Sequence, residues 1–149
     1  MATARRTRTL TATPERVWEV VEDPHHLPRW WPGVTRMEAV QDDTWTEVFT
    51  TKKGRPVRVD FRLLESEQPG GAGPARRRWE QEIIGTPFER LLNEAITAIE
   101  LEPAGDGTKV KLELRQKLRG YSRVGSVMLR RATGKKLDEA LDALEQICA

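Results

Sequence analysis

The chain has 149 residues, with 25 lysines and arginines against 23 acids, a formal net charge of +2. One cysteine (Cys148) and two adjacent histidines (His25, His26) exclude an intrachain disulfide, a zinc finger or an iron–sulfur centre, and no metal site is expected. No apolar run approaches the ~20 residues that cross a bilayer, the basic start lacks the apolar core of a secretory signal, and the mixed charge does not call for nucleic acid, so a cytoplasmic protein with no integral membrane segment is expected.

Arg6 to Thr13 alternates and predicts a first strand. Thr13-Pro14-Glu15 starts a helix, with a capping threonine, proline in the first turn and an acid near the N-terminus. Val17, Val20 and Val21 recur at helical spacing, and Pro24 ends that helix near Asp23. A second short helix or turn, His25 to Trp31, is expected to be broken by Pro28 and closed by Pro32-Gly33.

From Val34 the period changes to two. Strands are predicted around Met37, over Trp45 to Thr50, and over Val57 to Leu63, the last being the cleanest alternation in the chain. Lys52 to Pro56 is a hairpin turn and Gln68 to Pro74 a loop. Further strands follow over Arg76 to Ile83, Asn93 to Glu102, and Lys109 to Arg115, the last two joined by the tight turn Ala104 to Gly107. A long helix closes the chain, Ser122 to Ile147. Its apolar stripe is Val124, Val127, Met128, Ala132, Leu137, Ala140, Leu141, Leu144 and Ile147. This order describes an α+β protein, and one domain over 1–149 fits the length. A curved antiparallel sheet wrapped around the last helix covers the apolar face of both and tends to leave space between them.

Thr9 to Val34, TLTATPERVWEVVEDPHHLPRWWPGV, resembles the opening of the START-like superfamily of polyketide cyclases/dehydrases and lipid-transport proteins, which also holds the birch-pollen-allergen proteins. Gly105 to Val110 and the final helix are further points of similarity, and the element order matches over essentially the whole chain. The resemblance implies a helix-grip fold: a seven-stranded curved antiparallel sheet around a long C-terminal helix, with two short helices after strand 1 and a pocket for an apolar ligand. It implies carriers, sensors or aromatase/cyclases without choosing among them.

The strand phase places Trp45, Glu47, Phe49, Val59, Phe61, Trp79, Gln81, Ile83, Val110, Leu112, Leu114 and Gln116 on the inward face, where a mainly apolar lining suits a small-molecule site. Glu47, Gln81 and Gln116 break that apolar pattern. They either orient a polar group of the ligand or sit at sheet ends. Trp30 and Trp31 either gate the pocket or pack the core. Tyr121, between the last strand and helix, is a candidate polar contact, and Met128 joins the candidate ligand-binding set. The runs Arg76-Arg77-Arg78, Arg130-Arg131 and Lys135-Lys136 read as solvated faces next to Glu80, Glu82, Asp138 and Glu139.

Two functions remain. One is a carrier or binder of a small hydrophobic ligand, lipid or polyketide-like. The other is an aromatase/cyclase in which Glu47, the catalytic candidate, or else Tyr121 moves a proton. A protein-interaction module using the basic last helix is a third, lesser reading. No cofactor is expected, and the chain is expected to be a monomer or homodimer.

Overall fold

A computed structural model of the protein describes residues 2–71, 73–120 and 123–149. Strand β1 (Ala2–Leu10) leads into helix α1 (Pro14–Val21), a 3-10 turn (Pro24–His26) and helix α2 (Leu27–Trp30). Strands β2 (Val34–Glu38), β3 (Thr44–Thr50), β4 (Pro56–Glu67) and β5 (Ala75–Gln81) follow. A second 3-10 turn (Pro87–Arg90), β6 (Leu92–Ala104), β7 (Gly107–Leu118) and helix α3 (Arg123–Cys148) complete the chain. The strands form one seven-stranded sheet in the order β1-β7-β6-β5-β4-β3-β2, antiparallel throughout. It is a meander whose last strand pairs with the first strand of the chain.

Local chemistry explains the boundaries. The Thr13 hydroxyl accepts from the Arg16 N–H at 3.2 Å, which starts α1 and draws Thr11 to Thr13 out of the sheet. Strand β1 therefore ends at Leu10, and it begins at Ala2 because Ala2 and Ala4 are buried opposite Gln116 and Leu114. The Asp23 carboxylate accepts from the His25 N–H at 3.0 Å, so the histidines lie on a capped 3-10 turn. Pro28 does not break α2. It occupies the first turn, where its missing N–H costs nothing, and the helix continues to Trp30. Strand β4 outlasts its alternation because the register against β5 shifts between Leu63 and Glu65.

Helix α3 packs on β1, β7, α1 and α2. Leu137, Ala140, Leu141 and Leu144 are at most 1% exposed and share one core with Ile99, Leu101, Val110, Leu112, Val17 and Val20. Each leucine buried this way is worth ~1.5–3 kcal/mol. Among the residues whose side chains are described, which leaves out Val124, the expected stripe holds in this C-terminal half. Val127 and Met128 are 47% and 67% exposed, and Ala132 also faces solvent. Ser126, Thr133 and Gly134 take the buried positions instead, with the Arg6 guanidinium lying where a side chain at 134 would stand. The start of the helix at Ser122 lies outside the described residues.

The β6–β7 turn has a second constraint. A Cβ at Gly107 would run into the backbone carbonyl of Leu10 and come within 3.3 Å of the Thr11 Cα, while Thr108 Oγ1 donates to the Ala12 carbonyl at 2.7 Å. The turn is thus clamped against the end of β1. Gly107→Ala is expected to cost ~1–3 kcal/mol by overpacking rigid backbone, read as a lower midpoint in urea, whereas Gly105→Ala meets no neighbour within 4 Å and pays only for its φ of +60°.

Candidate functional site

A cavity of about 330 Å³ lies between the concave face of the sheet and α3. Glu47 and Phe49 reach it from β3, Val57, Val59 and Phe61 from β4, and Trp79 and Gln81 from β5. Leu92, Ala95 and Thr97 line it from β6 and Leu114 and Gln116 from β7. Trp31, Phe88 and Lys136 close it from α2's end, the second 3-10 turn and α3. The reason for the space is visible in α3. Leucines fill the grip from Leu137 onward, but one turn earlier the buried face carries the short Thr133, hydrogen-bonded to the lining residue Gln116, and Lys136 is the described α3 residue that reaches the cavity.

Eight of the sequence-predicted positions meet here: Glu47, Phe49, Val59, Phe61, Trp79, Gln81, Leu114 and Gln116. Gln81 is the last residue of β5, paired with Phe61, so it stands both at a strand end and in the cavity lining; Gln116 lies inside β7, and its amide oxygen accepts from the Thr133 hydroxyl at 3.2 Å. Other candidates lie elsewhere. Trp30 is 2% exposed in the core and meets Trp31 edge-on at 5.6 Å, so it packs while Trp31 faces the cavity. Leu112 and Val110 are core residues under α3. Ile83 is not in the lining but clusters with Leu92 and Ala95, which are. Met128 is on the solvent side of α3. Tyr121 lies outside the described residues.

Trp45 does not line the cavity but builds it. Its ring stacks on Phe61 at 6.3 Å and 11°, tilts against Trp79 at 6.4 Å, and its Nε1–H donates to Glu47 Oε2 at 3.1 Å. Glu47 is 2% exposed. Its cross-strand partners are Met37 and Val59, neither able to stabilise a charge. Burial pushes its pKa from 4.5 up to about 7, against the smaller opposing pull of the Trp45 hydrogen bond and the Lys136 charge. A carboxyl held there can exist in either protonation state near neutral pH.

Sequence reasoning missed Lys136, which it grouped with a solvated basic face. Lys136 lies three residues after Thr133 and four before Ala140, on the buried side, and its Nζ stands 5.9 Å from the centre of the Phe49 ring. Arg130, Arg131 and Lys135 are exposed as expected. The arginine run of β5 is split by alternation. Arg76 pairs with Glu100 and Arg78 with Glu65 on the outer face, but Arg77 is 6% exposed on the inner one. It donates to Ser66 Oγ at 3.2 Å and lies 5.7 Å from the centre of the Trp45 ring. Neither histidine lines the cavity. His25 Nδ1 contacts the Asp23 carboxylate and His26 Nδ1 the Val20 carbonyl.

Among the described residues no helix is long and apolar enough to cross a membrane, and no group of His, Cys, Asp and Glu side chains is placed to hold a metal ion.

The family described as "Polyketide cyclase / dehydrase and lipid transport" matches residues 1–149. A START superfamily protein from Mycobacterium smegmatis has the same fold, with a TM-score of 0.75 at 13% identity over 99% of this chain and 97% of that one. The protein XoxI from Bacillus cereus gives 0.71 at 15% identity over 99% and 96%. The di-domain ARO/CYC StfQ of the steffimycin biosynthetic pathway gives 0.75 at 13% identity, covering 99% of this chain and 50% of that one. A comparison with curated proteins finds no match.

Proposed function

We infer that this protein, which belongs to the polyketide cyclase/dehydrase and lipid-transport family, takes a small, mainly apolar molecule into the cavity under α3 and carries or presents it. The observation that supports this reading is the lining. It is aromatic and aliphatic on most sides, with polar groups at only a few points, the composition that buries an apolar body and orients one polar end. Leu114, Val59 and the rings of Phe61 and Trp79 give dispersion contacts, and Thr97, Gln81 and Gln116 offer hydrogen bonds.

Native mass spectrometry of the purified protein should show a bound small molecule released on unfolding. Nile red, a neutral apolar dye, should bind at close to one per chain. Phe61→Ala should change that affinity several-fold. Because Phe61 is only half-buried, its stability cost should sit at or below the lower end of the ~3–5 kcal/mol range for buried phenylalanine. Dye binding that ignores substitutions at both Phe61 and Trp79 would remove the cavity from consideration.

One observation favours a second reading, a cyclase. Glu47 is a carboxyl whose pKa, about 7, lies in the range of an efficient general acid or base. In that role it would take a proton from the carbon between two carbonyls of a poly-β-keto chain. Glu47→Gln preserves shape and hydrogen bonding, so turnover should then fall by ~10²-fold or more while binding persists. For a carrier, the parent turns nothing over and the variant changes affinity modestly.

A further inference from the structure

Among the described residues lining the cavity, only Glu47 and Lys136 carry ionisable groups. They face the same space from opposite layers, one from the sheet and one from α3. Lys136 makes no ion pair with any described residue; its ammonium rests near the Phe49 ring. The charge that Glu47 feels across the cavity is that of Lys136. The other elements packed on Glu47 present Met37 from β2 and Val59 from β4, both neutral. On its own strand Trp45 occupies Oε2, and the Arg77 guanidinium contacts the Trp45 ring without lining the cavity.

This is a poor site for a cation and a conditional site for an anion. With Glu47 ionised, the two wall charges cancel, and an added carboxylate leaves one net negative charge in a low-dielectric space. With Glu47 neutral, the same carboxylate cancels the Lys136 ammonium. The Glu47 oxygen that Trp45 leaves free, Oε1, can then carry the proton and donate it to the ligand, a short charge-assisted hydrogen bond. We propose that the occupant is an amphiphilic carboxylic acid whose carboxylate is clamped between Lys136 and Glu47, and that a molecule entering while Glu47 is ionised brings one proton from solution onto Glu47. The proposal rests on the ligand-carrying reading above and adds the class of the polar end and a way of releasing it. A carrier so built loads where the pH is lower and lets go where it is higher.

Calorimetric titration with decanoate, naphthoate and decanol at roughly pH 6 and pH 8 tests it, since both acids stay ionised across that range. Decanoate against naphthoate separates an acyl chain from a fused-ring body, and decanol reports the apolar cavity without the head. The expected result is that at least one acid binds about tenfold or more tighter than decanol at the lower pH. That acid should then weaken about tenfold at the higher pH while decanol does not change. At the higher pH its binding should take up close to one proton per ligand, read from buffers of different ionisation heat, and at the lower pH only a small fraction of one. In Glu47→Gln the pH dependence should vanish. In Lys136→Met, with Lys136→Gln as a second variant should the first fold poorly, the preference for the acid should vanish while decanol still binds. Decanol binding with no preference for either acid overturns the inference alone. Acid binding that stays flat with pH, or a preference that survives at Lys136→Met and Lys136→Gln, also overturns it. Binding of none of the three overturns it together with the reading beneath it.

Discussion

A chain ended after Lys136 will not melt cooperatively. The cut removes Leu137, Ala140, Leu141 and Leu144, none more than 1% exposed, together with the buried Cys148. Deleting a single buried leucine side chain costs ~2–5 kcal/mol, and a domain of this kind has only ~5–15 kcal/mol in total, so three such losses match or exceed everything available. The cut also bares the sheet residues these side chains cover, Ile99, Leu101, Val110 and Leu112. Exposed apolar surface of that kind leads to association. The ion pairs Arg6–Asp138 and Arg8–Asp142, which tie α3 to β1, disappear as well, though exposed pairs add little. Circular dichroism and dye binding against temperature should show residual strand signal, no sharp transition, and dye uptake already at low temperature. A truncated chain that remains a compact monomer with a sharp transition would mean that the sheet and α1 hold a core of their own. Leu141→Ala in the full chain should behave differently, keeping a cooperative transition at a lower midpoint.

The fold was legible wherever one periodicity ruled a segment alone. Val57 to Leu63 alternate because one face meets the concave side and the other meets water, and β4 lies there. The helix start at Thr13-Pro14 is a local event between neighbouring residues, and the structure shows it bond for bond. Legibility failed where a residue's position is decided by something distant in sequence. Pro28 is a nearer case: the Asp23-capped 3-10 turn runs into α2 so that the proline falls in its first turn. Val127 and Met128 fit an apolar stripe, yet the buried side of that half of α3 belongs to Thr133 and Gly134, because Gln116 of β7 and Arg6 of β1 claim those places. The same holds for the site. Alternation alone puts Glu47 and Gln81 on the concave face, since strand phase is local. It cannot say how far along that face the leucines of α3 reach. That limit, set by packing across the sheet, separates Leu112 and Val110 in the core from Leu114 and Gln116 in the cavity. Lys136 was lost to its neighbours' charge, though its helical phase with Leu137 and Ala140 pointed inward.

Glu47→Gln will make the protein more stable at about pH 8, by up to ~3 kcal/mol, and will leave it nearly unchanged at about pH 4. The direction follows from the raised pKa. The folded state holds the Glu47 proton up to about 7, while in an unfolded chain the group releases it near 4.5. Below that lower value both states are protonated and a neutral glutamine differs little. As pH rises between about 4.5 and about 7 the unfolded chain ionises freely and the folded protein does not, so the parent loses stability through that window. Above it the parent carries a buried carboxylate whose only described hydrogen-bond donor is the Trp45 indole. A pKa displaced from 4.5 to about 7, at ~1.4 kcal/mol for each step of one, sets the ~3 kcal/mol ceiling. Relaxation and water entry will lower it. The glutamine carbonyl can still accept from Trp45, so the comparison isolates the charge. Urea unfolding of parent and variant across that pH range, on protein refolded to strip any copurified ligand, should give two stability curves that meet at low pH and part steadily from about pH 5. Curves that run parallel would show that Glu47 ionises as freely inside the protein as outside. That outcome would also end its candidacy as a proton-transfer group. Curves that part as expected mean that the empty site is under strain at neutral pH, and that a ligand which favours the neutral carboxyl relieves it on entry.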